Sequence, residues 1–529
     1  MALRSSNTAA RLIAMAAGFA MLASCAACGG QDAASGTTAA PGGNTAAGTT
    51  ASAGSAVIFT PSDGITISQS TPLNKWAKLV PEITDGLVAN GMAKKSIETK
   101  TSSDLDDQSR DVQDWVVDHM AAEGQSDSQN DEKRTTLIVA PAVPAGAATR
   151  QYGDYVTQPQ DDDDTAEGTD DGTDAYTRLA SALSLAQDSG MHVILLANGV
   201  DGVTPDAFAR FSTAEQIGRI EAQKLVTKLD LAKASKDNPK AIEVLIPYTA
   251  TASNDSDDND SDEEVASPAR DDAFSREAFA GMWKVLQPYF TQGKAYSPSG
   301  TLSKTTTDDD WRDVAVDGSD RKTIAAEVDR RLPTRKTSDG TAHMRVDGVI
   351  AMNDYVASVV TEELGALGYT GSAADVNPQI TISGIVDNIT GKKDLQRGSV
   401  PDPAKAPETA DDAQDDAAAV SGVDEINSRW PIVTGFGAYV DTMPQIVNGK
   451  QWMTGLENRM ALASDIAEVT VRLNRGESLT KLSYITKAKV DGAAKRTNVI
   501  EEEPLAVSAS NLKAALIDPG YITMADAGL

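Results

Sequence analysis

Nucleophilic, acid–base and metal chemistry draw on thiols, imidazoles and paired carboxylates, and this chain of 529 residues is sparing with the first two. Cys25 and Cys28 are its only cysteines, both near the N-terminus. The rest of the chain therefore has no thiol nucleophile, no thiolate metal site and no disulfide. His119, His192 and His343 are the only histidines, with neither HExxH spacing nor a partner nucleophile, and His192, just before an apolar run, reads as structural. No P-loop, no GxGxxG after a strand and no GxSxG elbow is present. Carboxylates are plentiful, and the net charge is −30. Half of that excess sits in two short runs, eight acids in residues 161–174 and seven in residues 254–264. Like charges so crowded repel one another and read as solvated loops. Neither run has the Asp-x-Asp-x-Asp-Gly order and later Glu of a Ca²⁺ loop. A carboxylate pair such as Asp272 and Asp354 could serve a hydrolase, but nothing else in the sequence supports catalysis. No enzyme, metal or cofactor is expected, and the negative balance argues against nucleic acid.

Cys25 carries a different chemistry. Arg4 and Arg11 supply a positive start, and the apolar run from Leu12 to Leu22 is too short to span ~30 Å of hydrocarbon as a helix. Leu22-Ala23-Ser24-Cys25 then has the layout of a bacterial lipoprotein signal ending at a cysteine to be acylated. Residues 1–24 are expected to be removed as a signal peptide, leaving Cys25 lipidated, with Cys28 as a competing site. More than one acyl chain is needed for stable attachment. Residues 25–55, almost all Ala, Gly, Thr and Ser, read as a flexible tether. The body is thus expected outside the cytoplasm, held to the bacterial cell membrane by lipid only.

Behind the tether lie the elements that must position any site. Hydrophobic residues make up 40% of the chain and aromatics only 5%, a balance that suits an α/β protein. Short β-branched runs alternate with amphipathic stretches, as in parallel sheets built from βαβ units. Residues 65–68 read as a strand, followed by a helix burying Trp76, Leu79, Val80, Ile83 and Leu87. Residues 136–140 and 192–196 are continuous apolar runs, suited to a sheet covered on both sides. Ser212-Thr213-Ala214-Glu215 has capping-box spacing and opens a helix carrying Ile217, Ile220 and Leu225. Residues 242–246 and 349–352 are further strands, and Val356, Val359, Val360, Leu364 and Leu367 line another helix. Acidic or Pro-rich stretches near 158–174, 252–272, 304–322 and 391–428 read as loop excursions. The fold class is α/β, with two doubly wound parallel-sheet lobes.

Several strings, in order, resemble the type I periplasmic sugar-binding proteins of ABC importers, in their xylose-binding and multiple-sugar-binding branch. They are Gly190-Met191-His192-Val193-Ile194, Phe208 to Val226, Lys284-Val285-Leu286-Gln287-Pro288-Tyr289, Ala351-Met352-Asn353-Asp354, Val433-Thr434-Gly435, Ile446-Val447-Asn448-Gly449-Lys450-Gln451, and Asn511-Leu512-Lys513 through Asp518-Pro519-Gly520-Tyr521. The resemblance implies two lobes joined by a hinge, residues 56–212 plus 456–480 and residues 213–455 plus 481–529. Crossings are expected near 211–213, 455–458 and the run before Ala506. A sugar or sugar-like solute would sit in the cleft at the carboxyl ends of the strands, and an ABC permease would receive it. Open α/β sheets favour that location on physical grounds as well. A monomer is expected. The alternative function is a binding fold turned to surface sensing or interaction, without a transported ligand.

The resemblance maps ligand contacts onto Lys75, Trp76, Asn198, Asp272, Asn353, Asp354, Phe436, Glu457 and Asn458. Lys75-Trp76 stands for the family's Arg-Trp, one cation and one stacking ring, and Asn353 and Asp354 are retained. Elsewhere the pattern departs. Ala197-Asn198 replaces Asp-Arg, Phe436-Gly437 replaces Gln-Asp, Glu457-Asn458 replaces Lys-Asp, and Asp272 alone survives from Asp-Asn-Asn. Loss of each charge-assisted hydrogen bond would cost ~1.5–3 kcal/mol of affinity for a plain pentose, so either the ligand differs or the pocket is vestigial. Trp76 also begins a buried helical face, and Asn353-Asp354 also fits a helix cap. A second register would place Ile382-Ser383-Gly384 on the Thr-Gly strand, with Asp387 near the lost carboxylate.

Overall fold

The structure, a computed structural model, describes residues 53–63, 72–123, 134–143, 147–155, 170–249, 268–337, 340–374 and 426–529. Cys25, the strand expected at 65–68, most of both acidic runs and the second register at 382–384 lie outside those residues.

The first strand, β1 (Ser55–Pro61), begins where the sequence still reads as tether. It joins β2 (Ile97–Ser102), β3 (Thr135–Val139), β4 (His192–Leu196), β5 (Ala207–Arg210), β15 (Ile485–Ala488) and β16 (Thr497–Glu501) in a seven-stranded sheet of order β15-β16-β5-β4-β3-β1-β2. All its pairs are parallel except β15 with β16. Alternate side chains enter two separate cores. Ile58, Ile138 and Ile194 meet α1 (Trp76–Ala89) and α10 (Arg459–Asn474), while Val57, Phe59, Leu137 and Val193 meet α2 (Leu105–Glu123) and α4 (Asp170–Asp188). Such two-sided burial is why these strands read as unbroken apolar runs.

The second sheet has the order β17-β14-β13-β12-β6-β8. Its strands are β6 (Lys240–Val244), β8 (Ala295–Tyr296), β12 (Gly348–Ile350), β13 (Ile432–Phe436), β14 (Met453–Leu456) and the antiparallel edge β17 (Leu505–Ser508). Helices α5 (Ala214–Lys228) and α6 (Pro268–Thr291) cover one face, and α7 (Arg321–Arg331) and α8 (Asp354–Ala366) cover the other. Glycines let α5 and α6 pack backbone to backbone: a Cβ on Gly218 would lie 2.0 Å from the Ala278 carbonyl oxygen. The short α9 (Met443–Asn448) packs with the C-terminal segment through Met443, Ile446, Leu512, Leu516 and Tyr521. Smaller pieces complete the chain: one turn of helix α3 (Ala147–Arg150), the pair β7 (Ile246–Tyr248) and β9 (Ala315–Asp317), and the hairpin β10 (Arg335–Thr337) and β11 (Gly340–Ala342).

Both sheets lie within one compact unit, Ala51–Leu529, and the chain passes between them at 211–213, 457–458 and 502–504. The resemblance implies crossings near 211–213, 455–458 and before Ala506. One boundary differs: residues 481–501 belong with the first lobe, because β16 pairs with β5 and carries β15 onto the first sheet's edge. The capping box is also one residue later than its first reading. Thr213, not Ser212, is the N-cap of α5, and it exchanges hydrogen bonds with Gln216. Residues 304–322 are not a bare loop, since a 3₁₀ helix at Asp308–Val314 buries Trp311 and Val314 and leads into β9.

Candidate functional site

Parallel strands of both sheets end at the seam between the lobes, and two of those ends are turned sharply. Ala197 has φ +62°, and the Asn198 N–H donates to the Leu196 carbonyl at 2.7 Å; Met352 has φ +61°, and the Asn353 N–H donates to the Ala351 carbonyl at 2.7 Å. These are γ-turns with a positive central φ, a strained form. Ala438, just past β13, is also left-handed at φ +53°. Strained backbone is thus held at strand ends in both lobes, a feature that clusters at functional sites.

On the first lobe the seam is built around Trp76. Asp63 caps α1, its two oxygens accepting from the Trp76 N–H at 2.8 Å and the Ala77 N–H at 3.0 Å. Lys75 Nζ pairs with Asp154 Oδ1 at 2.9 Å, both side chains largely buried. Burial, then the neighbouring Asp63 carboxylate, push the Asp154 carboxyl up to about 7, against the pull of Lys75. The Trp76 ring is 4% exposed and lies edge-on to Tyr155, centroids 5.0 Å apart, and to Phe211, 6.2 Å apart. It packs against the chain's own rings and is buried, so in this form it serves as core. Around it Asn74 Oδ1, Asp154 Oδ2, Tyr155 Oη and Ser212 Oγ are buried and make no hydrogen bond among the described residues.

On the second lobe Asn353 caps α8, its Oδ1 accepting from the Val356 N–H at 2.9 Å, while its Nδ2 donates across the seam to Gln151 Oε1 at 2.9 Å. Asp354 is fully buried and turned into its own lobe, accepting from Gln451 Nε2 at 2.6 Å, the Thr454 hydroxyl at 2.8 Å and the Tyr439 N–H at 3.1 Å. Burial pushes it up to about 6 despite those donors. Gly435 leaves room for it, since a Cβ there would lie 2.6 Å from Asp354 Oδ1. Asp354 thus shapes the 437–439 loop. Behind it Glu221 is raised to about 8 by burial and accepts from the Thr434 hydroxyl at 2.8 Å.

The other expected residues are dispersed. Phe436 is wholly buried in the second lobe's core. Asp272 is ion-paired with Arg312 at the surface of α6. Asn198 lines a cavity of about 290 Å³ on the hinge flank, with Arg210, Thr213, Arg219 and Lys489. Glu457 sits in the hinge, its Oε1 accepting from the Ser212 N–H at 2.6 Å, and Asn458 is the N-cap of α10 without a side-chain capping bond. The structure therefore brings together Lys75, Trp76, Asn353 and, through the crossings, Glu457, but not Asp272, Asn198 or Phe436. The sequence reading missed Asp63, Gln151, Tyr152, Asp154 and Tyr155. A signal was there, since two tyrosines three residues apart are conspicuous in a chain with 5% aromatics. Among the described residues no group of three or more His, Cys, Asp or Glu side chains could hold a metal ion, and no helix is long and apolar enough to cross a membrane.

No family model and no curated protein matches this chain. Some solved structures are distantly similar to it. An ABC transporter solute-binding protein from Clostridium phytofermentans with bound β-D-glucose is 17% identical over 89% of this chain and 99% of its own, with a TM-score of 0.45. A carbohydrate transporter solute-binding protein from Chloroflexus aurantiacus in complex with D-glucose is 16% identical over 90% and 98%, with a TM-score of 0.46. One from Bacillus halodurans with bound myo-inositol is 12% identical over 88% and 98%, at 0.38. These are distant likenesses, and the ligands belong to those proteins.

Proposed function

We propose that this chain is an extracytoplasmic solute-binding lipoprotein, anchored through Cys25, that takes a sugar or sugar-like molecule between its lobes and presents it, as a monomer, to an ABC permease. The observation that carries this reading is the seam itself, where strained strand ends from two hinged lobes face a ring of buried, unpaired polar atoms around Trp76. Orphaned polar groups cost ~1–3 kcal/mol each, and a polyhydroxylated solute supplies donors and acceptors together with C–H faces for the Trp76 and Tyr155 rings. Asn353 and Asn74 would contact hydroxyls from opposite lobes, and the Asp63–Asp154 pair would accept from a third. Lys75 and Asp354 would position these groups, and Asn198, Asp272, Phe436, Glu457 and Asn458 would act outside direct contact. Contacts made by both lobes favour the closed form, which the permease would read. No bond is made or broken.

A second reading, a sensor or interaction module without a transported solute, is favoured by one observation: the middle of the seam is filled by Gln151 and Tyr152 of the chain itself. Thermal unfolding of the full chain against pentoses, hexoses, polyols and oligosaccharides separates the two. A solute at a hundred times its Kd adds ~2.7 kcal/mol of stability, an increase readily visible in Tm. Silence across the whole panel would refute solute binding and leave the sensor.

A further inference from the structure

The chain visits the second lobe once more than its hinge requires. After β3 it lies on the second lobe at 147–152, where α3 packs against α6 and β7. The Tyr152 ring is 1% exposed within the second lobe's core, 4.9 Å from Phe274 and 6.4 Å from Phe436 between centroids. Gln151 is held from three sides. Its Nε2 donates to the Gly318 carbonyl at 2.8 Å, its Oε1 accepts from Asn353 at 2.9 Å, and its backbone carbonyl accepts from the Tyr439 hydroxyl at 2.7 Å. At Gly153 the chain turns back with φ +133°, in contact with Asn74, where any Cβ would lie 2.5 Å from the Asn74 Cβ. Asp154 and Tyr155 then rejoin the first lobe beside Lys75 and Trp76.

We propose that residues 147–152 form an intramolecular strap that holds the lobes shut without solute, occupying Asn353 and the centre of the seam that a solute must reach. Opening the lobes withdraws a buried aromatic ring from an apolar pocket and breaks the Gln151 hydrogen bonds, so the closed form is the resting one. A solute gains entry by exchanging its own hydroxyls for Gln151, and its apparent affinity is lowered by the fraction of molecules in which the strap is docked. The closing role stands on the contacts alone; the occlusion rests on the proposed solute cleft.

Spin-label distances test it in the full chain. Cys25→Ser and Cys28→Ser remove the native thiols, and Ser103→Cys with Ser319→Cys places one label on each lobe at exposed positions. Without solute, the otherwise unaltered chain should give one short distance, and Tyr152→Ala should raise the open-to-closed ratio at least ~10-fold. The pair Gln151→Ala with Tyr439→Phe, which leaves the apolar core intact, should shift it the same way by less, and it serves should Tyr152→Ala not fold. Long distances before any substitution, or variants as closed as the parent, overturn the strap. D-glucose, D-xylose and myo-inositol are then titrated into parent and opened variant. Binding at least ~10-fold tighter to the opened variant supports occlusion. Equal affinity overturns occlusion but not the cleft. Binding to neither overturns the solute reading and leaves the strap to be judged by the distances.

Discussion

Glu457→Gln isolates a buried charge at the hinge. Glu457 opens the second crossing, is 1% exposed, and accepts at 2.6 Å from the Ser212 N–H of the first crossing. Burial pushes its carboxyl from 4.5 up to about 7, with Ser212 pulling the other way. Between those values the folded chain keeps a proton that the unfolded chain has released, so stability falls as pH rises through the window and the loss is complete above about 7. A gap of about 2.5 pH units, 7 less 4.5, at ~1.4 kcal/mol per unit amounts to ~3 kcal/mol. Glutamine keeps an oxygen for the Ser212 N–H and does not titrate. Its amide group adds a pH-independent penalty of ~1–3 kcal/mol if left unpaired, which displaces the difference between the two proteins without changing its slope. The variant should therefore gain ~3 kcal/mol on the parent between about pH 4.5 and pH 8. Urea midpoints across that range, with m-values held equal, measure it. Parallel curves for the two proteins would refute the buried-carboxyl account of the hinge.

The same logic gives Lys75→Met a pH signature. Removing one partner of a buried pair costs ~3–5 kcal/mol when the other stays charged, and Asp154 is raised to about 7 even with Lys75 present. The Tm deficit should thus be large at about pH 8 and shrink at about pH 5, and a deficit independent of pH counts against the pairing. Gly435→Ala should cost ~1–3 kcal/mol by overpacking, because its Cβ would lie 2.6 Å from Asp354 Oδ1 and 2.9 Å from Gln451 Nε2. Chemical denaturation reads that loss, and an unchanged midpoint would place Asp354 elsewhere.

What the sequence disclosed follows from what each segment buries. β3 and β4 were legible because a sheet covered on both faces leaves no polar alternation, and α1 because Trp76, Leu79, Ile83 and Leu87 share one buried stripe. β1 was hidden because its first residues, Ser55 and Ala56, have the composition of the tether before them. The capping box slipped by one because Ser212 and Thr213 are each followed three residues later by a side chain able to close it, and it is Thr213, with extended backbone, that caps the helix. The return of 485–501 to the first lobe was hidden because β15 is a half-exposed edge strand carried by β16, whose own partner β5 lies almost 300 residues away. Gln151 could not be read at all. Its partner Asn353 is 202 residues distant, and nothing local to either records the contact.

The departures from the family pattern and the strap explain one another. Phe436 stands where the resemblance implies a polar residue, and its ring lies against Tyr152 and the second lobe's core, wholly buried. A glutamine there would bring an amide into an apolar pocket at ~1–3 kcal/mol for each unpaired group, so a seated Tyr152 and a polar residue at 436 exclude each other. At Asn353 the strap meets a polar side chain: Gln151 presents an amide oxygen to its Nδ2. Residues 151 and 152 thus meet an amide at Asn353 and an aromatic ring at Phe436, each with a partner of matching chemistry.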